Sequence, residues 1–222
     1  MNNPFDFFDD IYCINLPDSV DRKNKMTEEF NKIRILNRVE WICAKPPPKN
    51  FRISNFRYVG ELGVGLSQIK CMIRSMSRNS KNCLIFEDDV IFDDNILQRM
   101  KNGINELPQN WKSLYLGGNP KENLKEYSSE LSSVGSILGA YGYSVNKPFM
   151  VELVEKYLDE FTSNFPNCTV DDIIGRSVRN NNSYTFDPPV CHPYAGHSVI
   201  RNSHRDYHNH INNLWKKYSA KK

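Results

Sequence analysis

The stretch CLIFEDDVIFDD, residues 83–94, is an apolar run that ends in acid. Cys83, Leu84, Ile85 and Phe86 lead directly into Glu87, Asp88 and Asp89. A second acidic pair, Asp93 and Asp94, follows after Val90, Ile91 and Phe92. A short apolar run of this kind reads as a strand buried on both faces. In open α/β sheets, ligands bind beyond the carboxyl ends of such strands. Carboxylates crowded there repel one another unless a positive charge lies between them. Side chains alternate along a strand, so Glu87 and Asp89 are predicted to share one side and Asp88 to point away. An oxygen-only pair suits a hard divalent ion, Mn2+ or Mg2+, which can in turn hold a diphosphate. The plainer alternative is a solvated loop whose acids favour the next helix N-terminus, a role that Asp93 and Asp94 fit well.

Working outward, the chain alternates strand and helix signals. IYCINL (11–16), VEWICA (39–44), WKSLYLGG (111–118), SILGAYGYSV (136–145) and SYTFDPPV (183–190) read as strands. The prolines at 46–48 close the second of these, since proline cannot pair in a sheet interior. Met26, Phe30 and Ile33 recur at helical spacing after a cap at Asp18 or Ser19, as do Leu66, Ile69, Ile73 and Met76 further on. Leu97, Met100, Ile104 and Leu107 mark a third helix, Leu153, Tyr157 and Phe161 a fourth beginning at Pro148, and TVDDIIGRSV (169–178) a short fifth. Residues 121–133 are polar and poorly periodic and read as a mobile surface segment. The order predicts an α/β fold with a mostly parallel central sheet in one domain, residues 1–201. A polar, basic tail over 202–222 carries His204, His208 and His210 and is read as solvated.

Composition narrows the function. With 222 residues, 39% hydrophobic and 25% charged, the chain can bury a sizeable core. A net charge of +3 argues against a nucleic-acid binder, and the closing KKYSAKK reads as a solvated lysine tail. Cys13, Cys43, Cys71, Cys83, Cys168 and Cys191 are scattered with no CxxC pair, so they read as reduced, mostly buried thiols. MNNPFDFFDD is neither a signal nor a transit peptide, and no apolar run approaches the roughly 18 residues of a membrane span. The expectation is a cytoplasmic protein without a transmembrane segment, compatible with peripheral membrane association.

INLPDSVDR, GELGVGLSQ, LIFEDDV, YLGG, GAYGYSVNK and VDDIIG occur in that order. In this the chain resembles glycosyltransferase family 25 from about residue 11 to about residue 200. That family includes bacterial lipooligosaccharide galactosyltransferases, collagen hydroxylysine galactosyltransferases and relatives in large DNA viruses. The resemblance implies a GT-A type fold, a nucleotide-sugar donor and a DxD-like acidic motif holding a divalent metal, here written EDD. It places Asn15 and Arg22 at the nucleotide, with Arg22 near the phosphates or base, where a planar guanidinium pairs bidentately. The alternative for Arg22 is an exposed first-turn arginine beside Asp18 and Asp21.

GELGVGLSQ has the spacing G-x-x-G-x-G, not that of a dinucleotide fingerprint. The resemblance makes it a glycine-rich turn into a helix, with Glu61 and Ser67 facing the nucleotide. Gly63 and Gly65 are then turn glycines or ligand contacts. Asp89 becomes a metal ligand, Glu87 the second metal oxygen or the ribose contact, Asp88 a nucleotide contact if the strand end bends, and His192 or His197 the completing ligand. Asp171 matches the family's acidic position after the acceptor-side strand and would act as the base, with Asp172 as its competitor. In the plainer reading Thr169 and the two acids cap a helix. Gly117, Gly118, Tyr141 and Tyr143 would line the sugar and acceptor pocket. Together these imply a metal-dependent inverting transfer of a hexose, galactose or glucose, from a UDP-sugar to a glycan, lipid-linked or protein-linked acceptor. The rival is a degenerate member that binds nucleotide sugar or carbohydrate without turnover.

Overall fold

The protein is described by a computed structural model covering residues 3–44, 59–162, 170–179, 182–194, 196–198, 203–205 and 207–221. In chain order the elements are β1 (Asp10–Asn15), α1 (Val20–Lys32), β2 (Val39–Cys43), α2 (Val59–Ser77), β3 (Asn82–Glu87), β4 (Val90–Phe92) and α3 (Ile96–Glu106). There follow β5 (Ser113–Pro120), β6 (Lys125–Glu126), β7 (Leu131–Ser133), β8 (Ile137–Asn146), α4 (Lys147–Thr162) and α5 (Val170–Ser177). The last elements are β9 (Ser183–Phe186), β10 (Cys191–Pro193), β11 (Gly196–Ser198), β12 (Ser203–Arg205) and α6 (Tyr207–Tyr218). The prolines at 46–48, Cys168 and Thr169 lie outside the described residues, as do the side chains of Glu61, Phe161, His197, His204, His208 and His210.

The central sheet has the order β2-β1-β3-β8-β5-β9-β7-β6. Helices α1 and α2 cross over between β1, β2 and β3, and these strands pair in parallel as such connections require. No helix separates β5 from β8, so the chain doubles back and β8 runs antiparallel to both β5 and β3. The α/β expectation holds, with a mixed sheet in which β2, β1 and β3 run parallel and, beyond the antiparallel β8, β5 runs parallel to β9.

Alternate residues of the inner strands feed two cores. Tyr12, Ile14, Cys83 and Ile85 pack with Ile69 and Met72 of α2 and Phe149 and Leu153 of α4. Ile11, Cys13, Leu84 and Phe86 pack on the other face with Met26 and Phe30 of α1 and Met100 of α3. That double coverage is why these strands read as continuous apolar runs. Of the described cysteines, Cys13, Cys71, Cys83 and Cys191 are buried free thiols and Cys43 is an exposed one.

Three expectations need correction. The 121–133 segment is not a bare surface loop. It supplies β6 and β7, and β7 pairs with β9 while burying Leu131. Its serines masked the strand: Ser132 is buried because its hydroxyl donates to Asp187 Oδ2 at 2.8 Å. GELGVGLSQ lies wholly inside α2, so Gly63 and Gly65 are buried helical residues and not turn glycines. The region expected to be a solvated tail contains α6, which buries Ile211 and Trp215. Its apolar residues are few but fall at i and i+4 on one face.

Helix α6 is tied down by polar contacts as well. Trp215 Nε1 donates to the Gly118 carbonyl at 3.0 Å, and beyond the helix Ser219 Oγ and the Ala220 N–H donate to the buried Asp187 at 2.5 and 3.0 Å. Removing the indole leaves both a cavity and an unpaired carbonyl. Trp215→Ala is therefore expected to lower the unfolding free energy by about 3–5 kcal/mol in urea titration. A loss below about 1 kcal/mol, the scale of ordinary surface changes, would show α6 to be peripheral.

Candidate active site

Strands β1 and β3 pair with Ile14 opposite Glu87, so Asn15 at the end of β1 stands beside the acidic strand end. Asn15 is buried, and its Nδ2 donates to Asp88 Oδ2 at 2.7 Å and to the Ser19 carbonyl at 3.3 Å. Helix α1 starts immediately afterwards and carries Arg22 in its first turn. Arg22 Nη1 donates to Asp88 Oδ1 at 2.5 Å, while Nη2 donates to Asp89 Oδ2. The positive charge among the acids is thus a protein side chain. Arg22 was expected near the phosphates or base. In the fold its two terminal nitrogens are engaged by Asp88 and Asp89.

Strict alternation fails because β3 stops at Glu87. Asp88 and Asp89 form the turn into β4. Asp88 therefore does not point away: it is 5% exposed with both oxygens hydrogen-bonded. From the other side β10 pairs antiparallel with β4, Pro193 opposite Val90, and the Tyr194 N–H donates to the Asp89 carbonyl at 2.8 Å. The Tyr194 ring lies 6.0 Å from the Arg22 guanidinium carbon and 4.6 Å from Lys25 Nζ. Tyr194 and Lys25 were missed in the sequence. VCHPYAGHS drew attention to its histidines, and only the β4–β10 pairing reveals its tyrosine.

One guanidinium does not balance the cluster. Burial, and then repulsion from Asp89, Asp171 and Asp88, push the Glu87 carboxyl well above its ordinary range despite Arg22. Burial raises Asp89 against the opposing pull of Arg22, and Asp88 likewise. Arg22 is itself held more firmly protonated than usual, because Asp89 and Asp88 outweigh its burial. Asp89 Oδ1 is buried and has no hydrogen-bond partner.

That orphaned oxygen, beside the Glu87 carboxyl, fits a hard cation. Among the described residues no three or more His, Cys, Asp or Glu side chains converge as a metal site, and His192 joins no such set. His192 is half-buried on β10, its Nδ1 3.3 Å from the Pro193 carbonyl. Two carboxylate oxygens suit Mg2+-like ions, which complete their shells with phosphate and water.

Asp171, in the first turn of α5, is near enough for its charge to act on Glu87, Tyr115 and Tyr143. Asp172 follows on the same turn, where its carbonyl accepts from Arg176 Nε at 3.3 Å. Tyr143 donates to Gln68 Oε1 at 2.8 Å and stacks on Tyr115, ring centroids 5.8 Å apart. Gln68, fully buried, is a further residue that sequence reasoning passed over beside Ser67. Tyr141, buried against the acids, keeps a hydroxyl without a hydrogen-bond partner. Ser67 itself donates to the Gly63 carbonyl within α2 at 2.7 Å, so its hydroxyl is engaged by its own helix. The room at Gly117 and Gly118 is filled by protein. A Cβ at Gly117 would lie 2.2 Å from the Cys191 carbonyl oxygen, and one at Gly118 would lie 2.5 Å from Ile137. Close packing explains both glycines.

The Glu87 shift sets a pH dependence. A carboxyl whose pKa is raised in the fold stabilises it below the ordinary value of 4.5, and this is lost as pH rises toward the folded value. In EDTA, the melting temperature should carry a component that falls across that window. Glu87→Gln is expected to remove it and to melt higher at pH 7. Parallel pH profiles for the two proteins would show that Glu87 is not strained.

Comparison with known proteins identifies the family and the fold. The profile of glycosyltransferase family 25 (LPS biosynthesis protein) matches residues 8–165, more than half of the chain. No curated protein matches significantly. Among solved structures, a glycosyltransferase involved in the glycosylation of the major capsid of PBCV-1 is similar with a TM-score of 0.50 and 12% identity, over 80% of each chain. UDP-glucose pyrophosphorylase complexed with UDP-glucose gives 0.43 and 7%, over 80% of this chain and 72% of that one. Mannose-1-phosphate geranyltransferase from Thermus thermophilus gives 0.44 and 7%, over 79% and 58%. The first supports the GT-A type fold, and the other two are too distant to carry an argument. The chain belongs to glycosyltransferase family 25 and is a glycosyltransferase.

Proposed function

We propose that the chain transfers a hexose, galactose or glucose, from a UDP-sugar to a hydroxyl of a glycan, lipid-linked or protein-linked acceptor, with inversion. The observation that carries this is that Asp171, in the first turn of α5, is near enough to the end of β3 for its charge to act on Glu87. An inverting transfer needs such an arrangement: a diphosphate anchor at one place and a base beside it.

Glu87 and the free Oδ1 of Asp89 would hold Mn2+ or Mg2+, which when bound supplies Lewis-acid neutralisation of the leaving diphosphate. Asp171 takes the proton of the acceptor hydroxyl as its oxygen attacks the anomeric carbon. The bond from that carbon to the diphosphate oxygen breaks, and its electron pair leaves with UDP. Attack from the face opposite UDP inverts the centre. The buried rings of Tyr115 and Tyr143 would supply an apolar wall beside the half-buried Asp171, which strengthens its electrostatic interactions.

Transfer from UDP-galactose and UDP-glucose, followed by UDP release with Mn2+, tests the reading. Asp171→Asn is expected to slow transfer by at least about 100-fold while UDP affinity and melting temperature change little. Asp172→Asn should be milder, since adjacent residues on a helix point about 100° apart. A loss of melting temperature alone in Asp171→Asn would make it a helix cap and move the base elsewhere.

A further inference from the structure

We propose that Arg22 is a positioning residue that selects which oxygen of Asp89 is offered to the cation. The inference rests on the reading that Glu87 and Asp89 bind that cation. The two oxygens of a carboxylate are chemically equivalent, so something must distinguish them. Arg22 engages Oδ2, and Oδ1 is left buried and unpartnered.

The selection is built on a chain of contacts anchored in the sheet. Asn15, at the end of β1, fixes Asp88 through Oδ2. Asp88 fixes the guanidinium through Oδ1, and the other arm of the same planar fork fixes Asp89. The main chain of Asp89 is held separately by the Tyr194 N–H at 2.8 Å. With both its carbonyl and one carboxylate oxygen held, Asp89 has little freedom to turn. Asp88, with both oxygens committed, serves the arginine and not the cation.

Positioning and simple charge balance predict opposite signs. If Arg22 were only a counter-charge, its removal would leave the acids more negative and Mn2+ would bind more tightly. If Arg22 positions Asp89, its removal frees the carboxylate to rotate and Mn2+ binds more weakly. Lysine keeps the charge but is a point donor that cannot span two carboxylates as the guanidinium fork does.

Mn2+ binding to the purified full chain, read by electron paramagnetic resonance without donor or turnover, decides between them. Arg22→Gln and Arg22→Lys are each expected to weaken Mn2+ binding at least about tenfold, with Asp89→Asn as the reference for a lost ligand. The double variant Arg22→Gln with Asp88→Asn removes the buried charge together with its partner. It guards against loss of fold and should bind as weakly as Arg22→Gln. Arg22→Gln or the double variant binding Mn2+ as well as or better than wild type would overturn the positioning role, while a wild type that still outbinds Asp89→Asn would leave the cation site standing. A wild type that binds no better than Asp89→Asn would overturn the cation site and this inference together.

Discussion

The two-armed ion pair from Arg22 to Asp88 and Asp89 is the interaction on which the ligand end of the sheet depends. Three consecutive acids at the end of a buried strand cannot all ionise without a nearby positive charge. The guanidinium opposes the upward shift that burial imposes on Asp88 and Asp89, at a site where the Asp88 side chain is 7% exposed and that of Arg22 only 21%. Such a pair is poor evidence of net stability, because desolvation offsets much of its attraction. Its effect is to fix geometry. The loss of one partner from a buried pair costs about 3–5 kcal/mol, so the turn after β3 has a strong reason to keep a single arrangement.

The topology serves that arrangement. Parallel pairing of β1 with β3 brings two carboxyl ends side by side, so Asn15 meets Asp88 with no long-range design beyond strand register. The helix leaving β1 must start at the same end, and Arg22 therefore arrives in its first turn. The later half of the chain closes the site from two directions. Helix α5 brings Asp171, and the β4–β10 ribbon brings Tyr194. Helix α6, hydrogen-bonded to the backbone of β5 at Gly118, braces the strand beside the one that pairs with β3.

Much of this was legible in the sequence, and the failures have physical causes. Strands β1 and β3 were readable because burial on both faces leaves unbroken apolar runs, and β2, β5, β8 and β9 because aromatic and β-branched residues recur between turn signals. The small strands β6 and β7 were not, because two or three residues are too short to show alternation, and a buried serine bonded to Asp187 resembles a surface one. Helix α6 was hidden by its histidines, asparagines and lysines, since among its described side chains only Ile211 and Trp215 are buried. At the site, the sequence pointed to residues but not to their partnerships. Asn15, Arg22, Asp88 and Asp89 meet at the end of β3. The resemblance placed Arg22 near the phosphates or base, and no rule of spacing announces its ion pair across 66 residues. Tyr194 and Gln68 gave no signal apart from the fold.

In the proposed arrangement the acids at the carboxyl end of β3 are shared between a fixed guanidinium and an exchangeable cation. Anomalous diffraction at the manganese edge from crystals grown with Mn2+ and UDP tests it most directly. The account predicts one peak at about 2.0–2.6 Å from Asp89 Oδ1 and a Glu87 oxygen, a distance typical of hard cations on oxygen. Arg22 should still join Asp88 to Asp89 Oδ2 in those crystals. A peak lying away from these oxygens, or one that takes the place of the guanidinium, would contradict it.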